Sequence, residues 1–190
     1  MEITKVTVAL SLAIGAVLGP VAMPASATVE EPEACSLELL RKGAKTRAGF
    51  SDFAGEKELL VNVERCDYSG ADLSKEVLSG IRARGANFSK TRFGREASRA
   101  DFRGANLRNS VMVDANLYES RFDGADLSGA DLSNAIASGA SFGKDAQSGE
   151  WANLAGTQFE GALLSTSDVQ RICLNPTLDD DGGASLGCRD

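Results

Sequence analysis

The chain has 190 residues, 27 Asp and Glu against 20 Lys and Arg, no histidine, and a formal charge of −7 at neutral pH. Without histidine the usual base near pH 7 is missing, so Ser-His-Asp triads, Cys-His dyads and histidine metal sites are excluded. The acidic balance favours solubility over binding to phosphate backbones.

Residues 1–27 read as a processing segment. The run VTVALSLAIGAVLGPVAMPASA is apolar and ends in Ala25-Ser26-Ala27, an A-x-A cleavage signature that would leave Thr28 as the first mature residue. A membrane anchor is the competing reading, but Val6 to Val21 is short and is broken by Gly15, Gly19 and Pro20. Residues 28–60 are expected to form an amino-terminal cap. Within it EPEACSLELLRKGAK reads as a short helix with Leu37, Leu39 and Leu40 on or near one face, ending around Gly43.

From Val61 the chain falls into lines of five: VNVER, CDYSG, ADLSK, EVLSG, IRARG, ANFSK, TRFGR, then after a break ADFRG, ANLRN, SVMVD, ANLYE, SRFDG, ADLSG, ADLSN, AIASG, ASFGK, and after a second break ANLAG, TQFEG, ALLST. The third column is Leu, Phe, Met, Val or Tyr, with Ala83 and Ala137 as small exceptions, and the first column is mostly Ala, Ser, Thr or Cys. A period of five fits neither a helix nor an ordinary strand. If each line forms one side of a square coil, the third residue points inward as the large group, the first as the small one, and the other three face solvent. Twenty residues then make one turn, and stacked turns pair their backbones at about 4.8 Å.

The expected fold class is all-β, a quadrilateral β-helix of about five coils over 61–169 with short helical caps at both ends. Phe88, Phe93, Phe102, Phe122, Phe142 and Phe159 should stack in ladders, each buried one contributing ~2 kcal/mol. The second column holds Asp72, Asp101, Asp126 and Asp131 beside Asn87, Asn106 and Asn116. Asp and Asn share a backbone role there, whereas acid-base work would tell them apart.

Two breaks interrupt the period. Phe93 to Phe102 is nine residues, so GREASR should hold a tightened corner or bulge, and Phe142 to Leu154 is twelve, so GKDAQSGEW should loop outward. Trp151, the single tryptophan, lies outside the inward columns; it is a candidate partner anchor, though packing back on the coil is the preferred reading.

A basic band runs through the middle. Residues 82–108 hold Arg82, Arg84, Lys90, Arg92, Arg95, Arg99, Arg103 and Arg108 against Glu96 and Asp101, whereas 109–190 hold thirteen acids against four bases. Arg82, Arg84, Arg92, Arg95, Arg99, Arg103, Arg108 and Trp151 are therefore the candidate partner surface. A solvated face is the simpler reading of the band, because arginines five apart fall on different sides of the coil.

Residues 170–190 should form the second cap. Ser167 looks like the N-cap of a helix through DVQRICL, with Val169 and Ile172 spaced to cover the last coil and Asn175-Pro176 stopping it before a polar LDDDGG loop. Four cysteines, Cys35, Cys66, Cys173 and Cys188, follow the leader. They allow three pairings, and spacing makes Cys35 with Cys66 and Cys173 with Cys188 the natural one. Zinc is disfavoured by the lack of CxxC and histidine, and no cofactor is expected.

The pattern from about Val61 to Val169 resembles the pentapeptide repeat, A(D/N)LxX. The stretches RCDYSGADLSKEVLSGIRARGANFS and DVQRICLNPTLDDDGGASLGCRD resemble the thylakoid-lumen members of that family in plants, algae and cyanobacteria. The resemblance implies a right-handed quadrilateral β-helix, lumenal disulfides and no established activity. It points to a thylakoid-lumen location, with the periplasm as the alternative, since residues 1–27 match only the bacterial-type half of a lumenal presequence.

The function expected is a non-enzymatic scaffold that binds an unknown lumenal protein, with no nucleic acid, no membrane after cleavage, and a monomeric state. The alternatives are a DNA-mimicking topoisomerase inhibitor, which the basic middle opposes, and a lumenal protein regulated through its Cys173–Cys188 bond.

Overall fold

The third residue of each line points inward. From Val63 and Tyr68 through Leu127 and Leu132 to Leu154 and Phe159 these side chains are buried, and Leu164 is partly so. In the computed structural model the described residues are 35–41 and 61–188; the apolar segment 1–27 and most of the expected cap 28–60 lie outside them.

Backbone pairing follows from the side length. The second residue of each line bridges in parallel to its counterpart one turn on, in four series: Asn62, Arg82, Asp101, Arg121, Ser141 on the first side; Asp67, Asn87, Asn106, Asp126, Asn153 on the second; Asp72, Arg92, Val111, Asp131, Gln158 on the third; Val77, Glu96, Asn116, Ile136, Leu163 on the fourth. Among the described residues only β1 (Asp72–Leu73) and β2 (Arg92–Phe93) reach two residues, because each side contributes about one ladder position before the chain turns. At the corners the third residue's carbonyl accepts the N–H three residues on, as from Ala105 to Phe102 at 3.0 Å. The fifth residue takes positive φ, the demand of a type II turn. Glycine meets it cheaply at Gly104 (63°), while Asn109 and Glu119 hold the same conformation at 53° and 55°.

The first break is a shortened side. Bridges before it span twenty residues, those across it nineteen, as from Val77 to Glu96. TRFG is a four-residue side, and Arg95 to Arg99 form a regular line with Ala97 buried in the third position, so the coil gains a line beyond those legible in the sequence. Gly94 permits the tight corner. A Cβ there would sit 2.8 Å from the Ser74 carbonyl oxygen and 2.9 Å from that of Glu76, so Gly94→Ala is expected to cost about 2 kcal/mol in denaturant unfolding.

Inward volumes compensate within the second turn. The second turn joins Phe88 and Phe93 with Ala83 and Ala97, all buried. A continuous aromatic ladder forms only on the first side, where Phe102 stacks on Phe122 at 5.4 Å and Phe122 on Phe142 at 5.0 Å. Phe88 stands on the second side, stacked on Tyr68 at 5.3 Å, whereas Phe93 and Phe159 stand on the third and meet rings of other sides tilted or edge-on, so the expected phenylalanine ladder holds for Phe102, Phe122 and Phe142.

The second break does not loop away. Bridges across it span twenty-seven residues, as from Asp126 to Asn153. The seven extra residues form a hairpin in which Lys144 pairs antiparallel with Trp151, and its turn folds back so that Asp145 is 2% exposed against the first side. Burial of one carboxylate with an arginine partner overrides the polar composition that suggested a solvated loop.

At the entry, α1 (37–41) buries Leu40 and leaves Leu37 exposed, so the three leucines do not share one buried face. Cys35 is bonded to Cys66, and Arg41 reaches Glu76 at 2.8 Å, a carboxylate standing in the normally small first column.

At the exit, α2 (Thr166–Cys173) starts at N-cap Ser165, not Ser167, because Asp168 completes a capping box with Ser165. Ile172 is buried, as its spacing suggested. The LDDDGG segment is not a loop: Asp179 caps α3 (Asp180–Leu186) by accepting from Gly182 N–H, and Gly187 ends it at positive φ. Cys173 is bonded to Cys188. Between the helices the tail supplies the polar partners a further coil would have given. Asn175 Nδ2 donates to the Phe142 and Ala152 carbonyls at 3.0 and 2.9 Å, and Leu154 N–H donates to Thr177 Oγ1 at 2.8 Å.

Candidate functional site

The coil geometry sorts the candidate arginines by side. Arg82, Arg84 and Arg103 share the first side with Arg121, whereas Arg108 stands on the second, Arg92 on the third, and Arg95 and Arg99 on the fourth. The expectation that these arginines scatter over different sides therefore holds for only part of the band. A shortened side moves Arg103 into line with Arg84, nineteen residues earlier.

Most of the band is neutralised within the molecule. Arg84 donates from Nη2 to both Asp145 oxygens at 2.9 and 3.0 Å. Asp145 also accepts from the N–H groups of Gln147 and Ser148 at 3.0 and 2.9 Å. The Ser148 N–H is the main cause holding this carboxyl below its usual range; burial opposes it, and Gln147 and Arg84 assist. Arg103 grips Asp101 through Nε and Nη2 at 2.7 and 2.5 Å. Burial raises the Asp101 carboxyl, but the bonds from Arg103 outweigh it and leave the net shift downward.

Elsewhere Arg99 meets Glu119 at 2.9 Å with its guanidinium 5.8 Å from the Tyr118 ring centre, and Arg108 meets Asp126 at 3.3 Å. Arg82 lies 3.6 Å from Glu64 in an exposed, weak pair. Arg92 and Arg95 are exposed and have no carboxylate within ion-pair distance among the described residues.

Glu64, Arg65, Arg82, Arg84, Asp101 and Arg103 line an open cleft of about 570 Å³ on the first side, closed at one end by Asp145, Gln147 and Ser148 of the hairpin. Its charges alternate in sign and the inner ones are fixed by their mutual bonds. Such a surface matches a mixed-charge partner better than a uniform polyanion. Trp151 is 39% exposed in the hairpin strand and is not drawn into the cleft. Asp145 was not distinguishable in the sequence; the signal was indirect, an insertion whose length allows the chain to return to a side already carrying arginines.

Asp and Asn of the second column serve the backbone. Their side-chain oxygens accept the N–H two residues on, as Asp72 from Ser74 at 3.0 Å, Asn116 from Tyr118 at 3.1 Å and Asp131 from Ser133 at 2.9 Å. Among the described residues no group of three His, Cys, Asp or Glu side chains is placed to hold a metal, and no helix is long and apolar enough to cross a membrane.

The family model for pentapeptide repeats matches residues 98–134 and 125–143, in eight copies. These residues are pentapeptide repeats. Proteins built of such repeats fold as right-handed quadrilateral β-helices. The same register of bridges and inward side chains extends beyond the matched repeats, from Asn62 to Leu163.

No curated protein matches the sequence. Among solved structures, a pentapeptide repeat protein from the Arabidopsis thaliana thylakoid lumen is similar at 23% identity over 68% of this chain and 89% of that one, with a TM-score of 0.35. A plasmid-mediated fluoroquinolone resistance protein is similar at 24% identity over 56% and 66% of the two chains, TM-score 0.34. A pentapeptide repeat protein from Nostoc PCC 7120 is similar at 26% identity over 54% and 86%, TM-score 0.25.

Proposed function

We propose that this is a non-enzymatic, lumenal pentapeptide repeat protein, a coil of about five turns with helical caps that serves as a scaffold for a mixed-charge protein partner. The observation that carries the reading is the cleft on the first side, where Arg84 and Arg103 are clamped by Asp145 and Asp101 and so present a fixed charge pattern. Rigid, prepaired charges lose little conformational entropy on binding and set register and specificity.

The lumenal location rests on two disulfides, which belong to oxidising compartments, and on the resemblance of the Cys-Asp-Tyr entry and the Ile-Cys to Leu-Gly-Cys tail to lumenal relatives. A DNA-mimicking inhibitor would need acidic charge along its length, whereas Arg82, Arg103 and Arg121 repeat along one side.

The test is affinity capture from thylakoid-lumen extract with the exported protein, comparing wild type with Arg65→Glu/Arg82→Glu, which reverses exposed cleft charges and leaves the inner pairs intact. Lys90→Glu, on the second side, is the control. Loss of the captured protein with the double reversal alone supports the reading; capture that survives it, or no capture, removes the cleft as the partner surface.

A further inference from the structure

The fourth side of the coil departs from the pattern of the others. Where most second-column positions carry a polar side chain, often the Asp or Asn that anchors the following turn, this side carries Val77, Ile136 and Leu163. Ile136 and Leu163 give up the side-chain acceptor and stand 42% and 59% exposed, and Tyr118, one turn before Ile136 and two positions along, is 40% exposed. Ile136 bridges directly to Leu163 and to Asn116, so the three apolar groups form one patch across the last three turns. At the corner leading onto this side stand Arg95, in the second turn, and Glu160, in the fifth. Both are exposed and neither has a side-chain partner among the described residues.

We propose that this side is the contact between two antiparallel copies of the chain. A two-fold axis lying across it between the third and fourth turns brings the second turn of one copy against the fifth of the other, and the third against the fourth. Arg95 of each copy then faces Glu160 of the other, a reciprocal pair of the kind an isologous interface requires. Ile136 of each lies over Asn116 and beside Tyr118 of the other, removing the patch from water. Leu163 covers the aliphatic stems of Glu96 and Arg95 in the second copy. A contact one side wide and four turns tall, at ~4.8 Å per turn, is smaller than a standard stable interface, so the dimer is weak and forms in a concentration-dependent way. It leaves the charged cleft on the first side free, and its success or failure is read separately from partner capture there.

Sedimentation velocity on the exported, purified protein over a concentration series tests this. A concentration-dependent dimer is expected, and Ile136→Lys should shift it to monomer with unchanged far-ultraviolet circular dichroism and melting temperature. Should that variant fail to fold, Leu163→Lys, at the more exposed position, gives the same reading. Arg95→Glu and Glu160→Arg should each weaken association by roughly tenfold, and the double reversal should restore it. A monomer at every concentration, a dimer indifferent to Ile136→Lys or Leu163→Lys, or a double reversal that fails to restore association overturns the proposal. So does a foreign protein whose capture depends on Ile136 while the chain itself remains monomeric.

Discussion

Replacing Phe122 by Ala is expected to cost about 3–5 kcal/mol and to broaden the unfolding transition. Phe122 is fully buried in the fourth turn, stacked between Phe102 and Phe142 at ring angles of 12° and 7°. Removing its ring takes away the transfer term and leaves a gap bounded by two rings that are themselves held by backbone bridges on either side. Arg121 N–H donates to the Ala100 carbonyl at 2.9 Å and Phe122 N–H to the Ser141 carbonyl at 2.8 Å, so the neighbouring turns are not free to collapse inward. In a stack where each turn touches only its neighbours, a gap in an inner turn also weakens the coupling between the two halves. Denaturant unfolding should therefore show both a lower midpoint and a lower apparent slope. Phe122→Leu, which fills most of the volume, should recover more than half of the loss; equal losses for the two variants would mean that the stacked ladder is not what holds this side.

The inward residues were legible because they obey one rule wherever they occur. Leu127 and Leu132 are five apart, both are buried, and nothing outside their own lines is needed to predict it. The rule failed at Gly94. One missing residue shifts the frame, so Ala97, a third-column residue in the structure, looked like part of an irregular stretch. The corner conformation was only half legible, since Gly104 and Asn109 announce positive φ while Arg99 and Glu119 in the same position do not. Those two residues hold their backbone there and bond to each other across one turn at 2.9 Å.

What closes the coil was least legible. Asp145, Asn175 and Asp179 are polar residues in polar stretches, and composition places all three in solvent. Their roles come from partners 61, 33 and 23 residues away: Arg84, the Phe142 carbonyl and the Gly156 N–H. An open coil end exposes backbone groups in a fixed arrangement, and polar side chains that match it are indistinguishable in sequence from loop residues. Glu76, a carboxylate in the otherwise small inward column, marks where Arg41 docks. For the proposed partner surface, the sequence pointed to the arginines but not to the carboxylates that pair with them. The charged cleft is therefore a different object from the basic band that suggested it, with Arg84 and Arg103 turned from exposed cations into clamped pairs.

The second large effect is expected at Asp168, which is 2% exposed and joins α2 to the coil. Its Oδ2 accepts from Gly139 N–H at 3.0 Å, from Ser165 N–H at 2.9 Å and from the Ser165 hydroxyl at 2.6 Å, while Oδ1 pairs with Arg171. Asp168→Ala leaves those donors without their acceptor and removes the capping box, for a loss of about 3 kcal/mol. Asp168→Asn keeps the shape and loses the charge, so it should fall between the two. Burial raises this carboxyl, but the Ser165 hydroxyl and the N–H groups of Gly139 and Ser165, with Arg171, hold it below the usual range. A carboxyl lowered on folding contributes stability that is complete above its unfolded value and is lost as pH falls through its folded one. The difference in stability between wild type and Asp168→Ala should then be constant above about pH 5 and shrink as pH falls below about 4. Thermal melts of both proteins across that range measure it. A difference that stays constant into acid would mean that the helix is held by Ile172 and the Cys173–Cys188 bond, with the carboxylate contributing shape but not charge.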